Sequence, residues 1–253
     1  MRLRLRFTKL GKIRFLGHRD LARCWERAIR RAELPIAYSE GFSPRPKVHF
    51  GLALPTGAAS IAEYLDIDLR EPIDITGLAP TLSEMLPVGV DVTAVSVVER
   101  SATALQAAVT SVTWEFGLTG VDAAQAADLV AELLARTEVP LTIERKGKRI
   151  TEDVRGAILD ITSGRPVTAH AVELPIGAAG VVPVPLTLEM AVRPRSLRPA
   201  EVLAVLGADE RPNLAAPWVC RHEQWITIDG HRGVPLAATV PSGPLATAGV
   251  DER

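Results

Sequence analysis

The chain has 253 residues, of which 47% are hydrophobic and 23% charged, with a formal net charge of −1. That balance excludes a wholly disordered chain, and no apolar run approaches the ~20 residues of a membrane-spanning helix. Two cysteines, Cys24 and Cys220, exclude a disulfide framework, a four-thiolate zinc site and a cysteine-bound iron–sulfur cluster. The start, MRLRLRFTKLG, lacks the apolar block of a secretory signal. Ordinary thiols and no leader point to the cytoplasm.

Residues 2–8 alternate Arg with Leu or Phe and predict a strand with one basic face. Residues 18–33 have helical period. Leu21, Cys24, Trp25, Ala28, Ile29 and Ala32 fall on one side of that helix, and Arg19, Arg23, Arg27 and Arg30 on the other, with Arg31 at its edge. Residues 47–54 and 61–69 read as two more strands joined by the turn PTGAAS. Residues 74–86 suit a short helix interrupted in pattern by Gly77 and Pro80, and residues 90–98 form a β-branched strand. The order β-α-β-β-α-β is the ferredoxin-like pattern, as in RRM-like modules.

The second half repeats the order with little identity. A strand is expected at 111–118, and a helix at 122–136 with Asp122 as its N-cap. A hairpin follows within 140–162 around Lys146, Gly147 and Lys148, then a strand at 184–193. A short helix at 199–206 starts on Pro199, and a closing strand spans 218–228. The expected architecture is therefore α+β, two tandem ferredoxin-like domains. The first, basic, domain covers 1–100 and the second, more acidic, covers 110–230. The linker lies near 100–109, and a Gly-, Pro- and Ala-rich tail from 233 to 253 is expected to be disordered.

Charge is unevenly spread. Residues 1–50 carry 13 Lys and Arg against four acids, a local charge of +9, and the remainder carries −10. A cluster this basic on a neutral chain suits a polyanion, because each phosphate contact releases counterions; the bland alternative is a solvated face. With 24 Arg and only five Lys, the choice of Arg over Lys carries little information, whereas the clustering does.

Residues 38–51, YSEGFSPRPKVHFG, add aromatics to cations. Gly41 permits positive φ, and Pro44 and Pro46 stiffen an extended path. Tyr38, Phe42 and Phe50 offer flat rings, and Arg45, Lys47 and His49 offer cations or potential cations, a combination that stacks bases and holds phosphates. The alternative is a Pro-rich connector whose rings pack on the core. His18, Arg19 and Asp20 open the first helix, where free N–H groups attract anions. His18 is a candidate ligand contact and a weaker candidate acid–base group, and Asp20 suits the helix dipole. Asp66 and Asp68 share one strand face, where pairing with arginine is favoured over a two-carboxylate site. His170, His222 and His231 lack metal-ligand spacing, and no Walker A loop, GxGxxG or GxSxG occurs. No metal or other cofactor is expected.

Residues 7–69, FTKLGKIRFLGHRDLARCWERAIRRAELPIAYSEGFSPRPKVHFGLALPTGAASIAEYLDIDL, resemble the bacterial radical-SAM-linked family. The dense match covers about a quarter of the chain. The family usually opens its first helix Ser-His-Leu-Asp-Leu, where this chain reads Gly17-His18-Arg19-Asp20-Leu21. It often carries His where this chain has Arg45, so the role that transfers there is cationic. The resemblance implies a working link to a radical SAM enzyme, with genes near those of ribonuclease E/G and ribosomal proteins, and no settled activity. The chain itself lacks the Cys-x-x-x-Cys-x-x-Cys motif of a radical SAM enzyme.

Three functions are compatible with these residues. In the favoured one the protein is a non-catalytic accessory that binds RNA through His18, Arg19, Arg23, Arg27, Arg31, Tyr38, Gly41, Phe42, Arg45, Lys47 and His49. In the second it is a metal-free RNA-processing enzyme using His18, Tyr38 and His49, with Arg45 and Lys47 stabilising charge. In the third it docks a radical SAM partner without touching RNA.

Overall fold

The computed structural model describes residues 1–145, 147–164, 182–228 and 230–236. Strand β1 (Arg2–Lys9) buries Leu3, Leu5 and Phe7 on one face, as its alternation requires. A 3-10 turn (Gly11–Phe15) leads to helix α1 (His18–Arg31), whose apolar side buries Leu21, Cys24, Trp25, Ala28 and Ile29. Trp25 meets Phe7 edge-on with ring centroids 5.0 Å apart. Next come β2 (Val48–Phe50), β3 (Ala59–Asp68), α2 (Leu78–Met85) and β4 (Val92–Val98).

Two of these elements differ from expectation. Helix α2 begins only after Gly77, at φ 73°, so the left-handed residue precedes the helix, and Pro80 sits in the first turn where its missing N–H costs nothing. Strand β2 stops at Phe50 because the chain bends away. Its next carbonyls, Leu52 and Ala53, accept hydrogen bonds from Arg221 at 2.9 and 3.5 Å.

The second half holds α3 (Leu105–Ala108), β5 (Val109–Thr119), α4 (Ala123–Ala135) and the ribbon β6 (Pro140–Arg145) and β7 (Lys148–Asp153). Then follow β8 (Ile158–Ser163), β9 (Val184–Ala191), α5 (Pro199–Val205), β10 (Ala215–Ile228) and β11 (His231–Gly233). Asp122 caps α4 in a capping box: Gln125 N donates to its carboxylate at 2.8 Å, and its own N–H reaches the Gln125 side chain at 2.9 Å. The expected linker region thus contains a helical turn and the start of a strand. Lys146 and His170 lie outside the described residues. So does the expected tail from 237 onward, whereas residues 234–236 are placed.

The architecture is α+β, built on one large mixed sheet. Its path runs β4-β1-β3-β10-β5-β9-β8, with β2 added on β3 and β11 on β10, and β6-β7 forms a separate ribbon. All neighbours are antiparallel except β3 and β10, which pair in parallel at Ala59–Cys220 and Ser60–Arg221. With β2 counted beside β3, the sets β4-β1-β3-β2 and β10-β5-β9-β8 follow the same relative order. One apolar core lies between the first half of the sheet and α1 and α2, and a larger one involves α4 and α5.

Where the halves meet, a small apolar cluster of Ala59, Trp218 and Cys220 lies beside buried ion pairs. Arg221 reaches both Glu63 oxygens at 2.7 and 2.8 Å and lies 5.4 Å from the centre of the Trp114 ring, with both charged side chains buried. Tyr64 Oη donates to Glu223 at 2.7 Å, and Arg6 pairs with the other oxygen of that carboxylate at 2.9 Å. No described helix is long and apolar enough to cross a membrane.

Candidate nucleic-acid interface

The basic residues of the first fifty separate into two groups. Those on β1 are neutralised inside the protein. Arg2 forms a bidentate pair with Asp68 and Arg4 with Asp66, matching their cross-strand register, and Arg6 pairs with Glu223. The Arg2 guanidinium bonded to Asp68 holds that carboxyl below the usual carboxylate range. Lys9 is buried, donates to the Leu16 carbonyl at 2.7 Å, and has its pKa lowered by burial. The acidic excess of the later sequence is thus partly spent on the basic strand.

The second group faces solvent. Arg19, Arg23, Arg27, Arg30 and Arg31 are exposed on α1. Arg23 pairs with Asp20, at 3.1 Å and largely in water, which is a weak tie. Arg27 Nη2 donates to Cys24 Sγ at 3.3 Å. Arg30 belongs to the same surface and was left out of the contact set predicted from sequence, though its helical position already placed it there.

Helix α1 and β2 are joined by a stiff ribbon. Ser39 N donates to the Arg45 carbonyl at 2.8 Å, Arg45 N returns to Ser39 Oγ at 3.0 Å, and Lys47 N donates to the Ala37 carbonyl at 2.8 Å. Tyr38 and Pro46 form a β-bridge. Gly41 turns the tip at φ 117°, with nothing within 4 Å of where a Cβ would sit, so backbone conformation alone requires glycine there. Phe42 stands fully exposed at this tip, Tyr38 is half exposed and Arg45 is exposed. An uncovered Phe on a braced ribbon contributes nothing to the core.

His18 and His49 are not brought together. The His18 ring meets Phe50 edge-on at 4.9 Å, on the side of β2 that faces the helices. His49 points the other way, with Nε2 3.6 Å from Asp68 Oδ2. Among the described residues no hydrogen bond or ring contact links Tyr38 to either histidine, so the three candidate catalytic groups do not form one constellation. Asp66 and Asp68 are taken up by Arg4 and Arg2, as the sequence favoured.

Neither thiol is poised to react. Both are buried, and burial pushes the Cys220 pKa up to about 12. His222 is buried, and among the described residues neither ring nitrogen has a hydrogen-bond partner; Nε2 lies 3.4 Å from Glu115, and burial lowers its pKa to about 4. Among the described residues no group of His, Cys, Asp and Glu is arranged to hold a metal ion.

No curated protein matches the chain. Residues 2–194 match the model of a family described as "Uncharacterized protein conserved in bacteria (DUF2344)". That span takes in both the basic helix with its ribbon and most of the second half of the sheet, and the chain belongs to this family.

Proposed function

We propose that the protein is a non-catalytic RNA-binding accessory that works with a radical SAM enzyme in RNA modification or ribosome-related metabolism, in the cytoplasm. The observation that supports it best is the division of charge. Strand arginines are neutralised internally, while the arginines of α1 stay exposed, with Arg23 tied to Asp20 only in water, beside a rigid ribbon tipped by an uncovered Phe42. Free cations give phosphate affinity, and an exposed ring gives base stacking. The partner is inferred from the sequence resemblance of residues 7–69.

We read the two half-sheets as ferredoxin-like units because their strands follow the same relative order. RRM-like modules bind RNA on the open sheet face. Here Leu105 and Leu236 pack over Ala62 and Tyr64 on that face, and Pro235 accepts a hydrogen bond from Arg4 at 3.2 Å. RNA is therefore assigned to the α1 and ribbon side and to the β2 edge. Separation of His18 from His49 disfavours the ribonuclease alternative. Crosslinking of cellular RNA to the purified protein tests the proposal: crosslinks within residues 18–49 support it. RNA-free protein that still binds the radical SAM partner favours the docking alternative.

A further inference from the structure

We infer that the cavity where the sheet forks is a nucleobase pocket; this deepens the RNA proposal above and rests on it. Strand β3 is paired along one edge by two different strands, β10 at Ala59 and Ser60 and β2 at Leu65–Ile67. Helix α3 packs against β2, β3 and β5 at this fork. The cavity there has a volume of about 320 Å³, within the range of small-ligand sites. Ala104 and Leu105 give it apolar walls, and Arg2, Asp66, His49 and Gln106 give it polar ones.

Charge bookkeeping selects the ligand class. Arg2 is held by Asp68 at 2.7 and 3.2 Å, and Asp66 by Arg4 at 2.8 and 2.9 Å. His49 leans on Asp68. The two arginines are already matched by the two carboxylates, so a phosphate placed here finds no spare cation to offset its desolvation. A neutral planar ring with its own donors and acceptors meets no such barrier. His49 and the Gln106 carboxamide offer both donor and acceptor to a base edge, and Leu105 offers an apolar surface. Gln106 is tied to the fork by long hydrogen bonds to the Phe50 and Gly51 carbonyls, at 3.5 and 3.4 Å. The ribbon that carries Phe42 runs directly into β2, so one continuous segment joins the phosphate-binding surface to this pocket.

The test uses the full chain, its Ala104→Trp and Gln106→Leu variants, roughly twelve-nucleotide homopolymers of A, C and U, and the four free nucleosides. Ala104 lines the cavity and is exposed, so a tryptophan there fills the space without entering the core. The expected result is a preference of about tenfold for one homopolymer. Ala104→Trp reduces this below about twofold while overall affinity stays within about threefold. Gln106→Leu weakens the same preference. Sequence-blind RNA binding with no nucleoside bound overturns the pocket and leaves the RNA proposal standing. A nucleoside that binds the parent chain and not Ala104→Trp, with no RNA bound, supports the pocket and sinks the RNA proposal. A preference unchanged in both variants overturns the pocket.

Discussion

Arg4 and Asp66 face each other across β1 and β3 as a buried bidentate ion pair, with Nε–Oδ1 at 2.8 Å and Nη2–Oδ2 at 2.9 Å. This pair decides how the basic N-terminus is used. An arginine so engaged is a structural group, which leaves the exposed arginines of α1, with Arg45 and Lys47 of the ribbon, for a polyanion. Arg4→Ala leaves Asp66 buried without its partner and is expected to cost ~3–5 kcal/mol of stability. Urea denaturation checks this; a loss under ~1 kcal/mol contradicts the structural role.

Cations outside these ion pairs behave oppositely. Arg23→Ala and Lys47→Ala are each expected to leave stability within ~0.5 kcal/mol. Each lowers RNA affinity across sequences and reduces the slope of log affinity against log salt by about one. An unchanged slope removes that residue from the phosphate contacts.

Phe42 is free of the core, so Phe42→Ala is expected to leave the melting temperature unchanged. It weakens RNA binding by ~1–3 kcal/mol through lost stacking. Equal affinity for the variant and the parent excludes a stacked base.

His222 makes stability depend on pH. Its folded pKa, about 4, lies below its ordinary value of 6.5. Above 6.5 both folded and unfolded forms are neutral and stability is unaffected. As pH falls through 6.5 the unfolded chain takes up a proton that the folded one refuses, and stability drops by up to ~1.4 kcal/mol per unit. The loss is complete once pH has fallen through about 4. His222→Gln is expected to flatten the curve between these values. A difference curve with no slope there contradicts the assignment.

The C-terminus of α1 offers a stabilising change. Glu33 follows the helix with φ 53°, a conformation glycine adopts without strain. Glu33→Gly is expected to raise stability by ~0.5–1 kcal/mol in thermal denaturation. Destabilisation of similar size shows that Glu33 makes a contact worth more than its strain.

Much of the first half was legible in the sequence. The Arg-Leu alternation of β1 and the Asp-Ile-Asp of β3 are complementary, and antiparallel pairing sets Arg2 against Asp68 and Arg4 against Asp66. The 3.6-residue period of α1 separated Trp25 and Ile29 from the arginines. The junction of the halves was not legible. Only two ladder pairs set β3 against β10, across some 160 positions of sequence, and so short a parallel pairing leaves no periodic signal. The fork cavity was hidden for the same reason, and Gln106 fell in a stretch expected to be a linker. Sequence alone offers His18 and His49, with Tyr38, as acid–base candidates and does not show which way each ring points. The pleat of β2 puts Phe50, with His18 beside it, on one face and His49 on the other.

The most direct measurement is binding of the purified full chain to total cellular RNA across a salt titration, with crosslink mapping. The account predicts salt-sensitive binding with crosslinks at α1, the Phe42 ribbon and β2. Absence of binding at low salt, or crosslinks confined to the second half of the sheet, contradicts it.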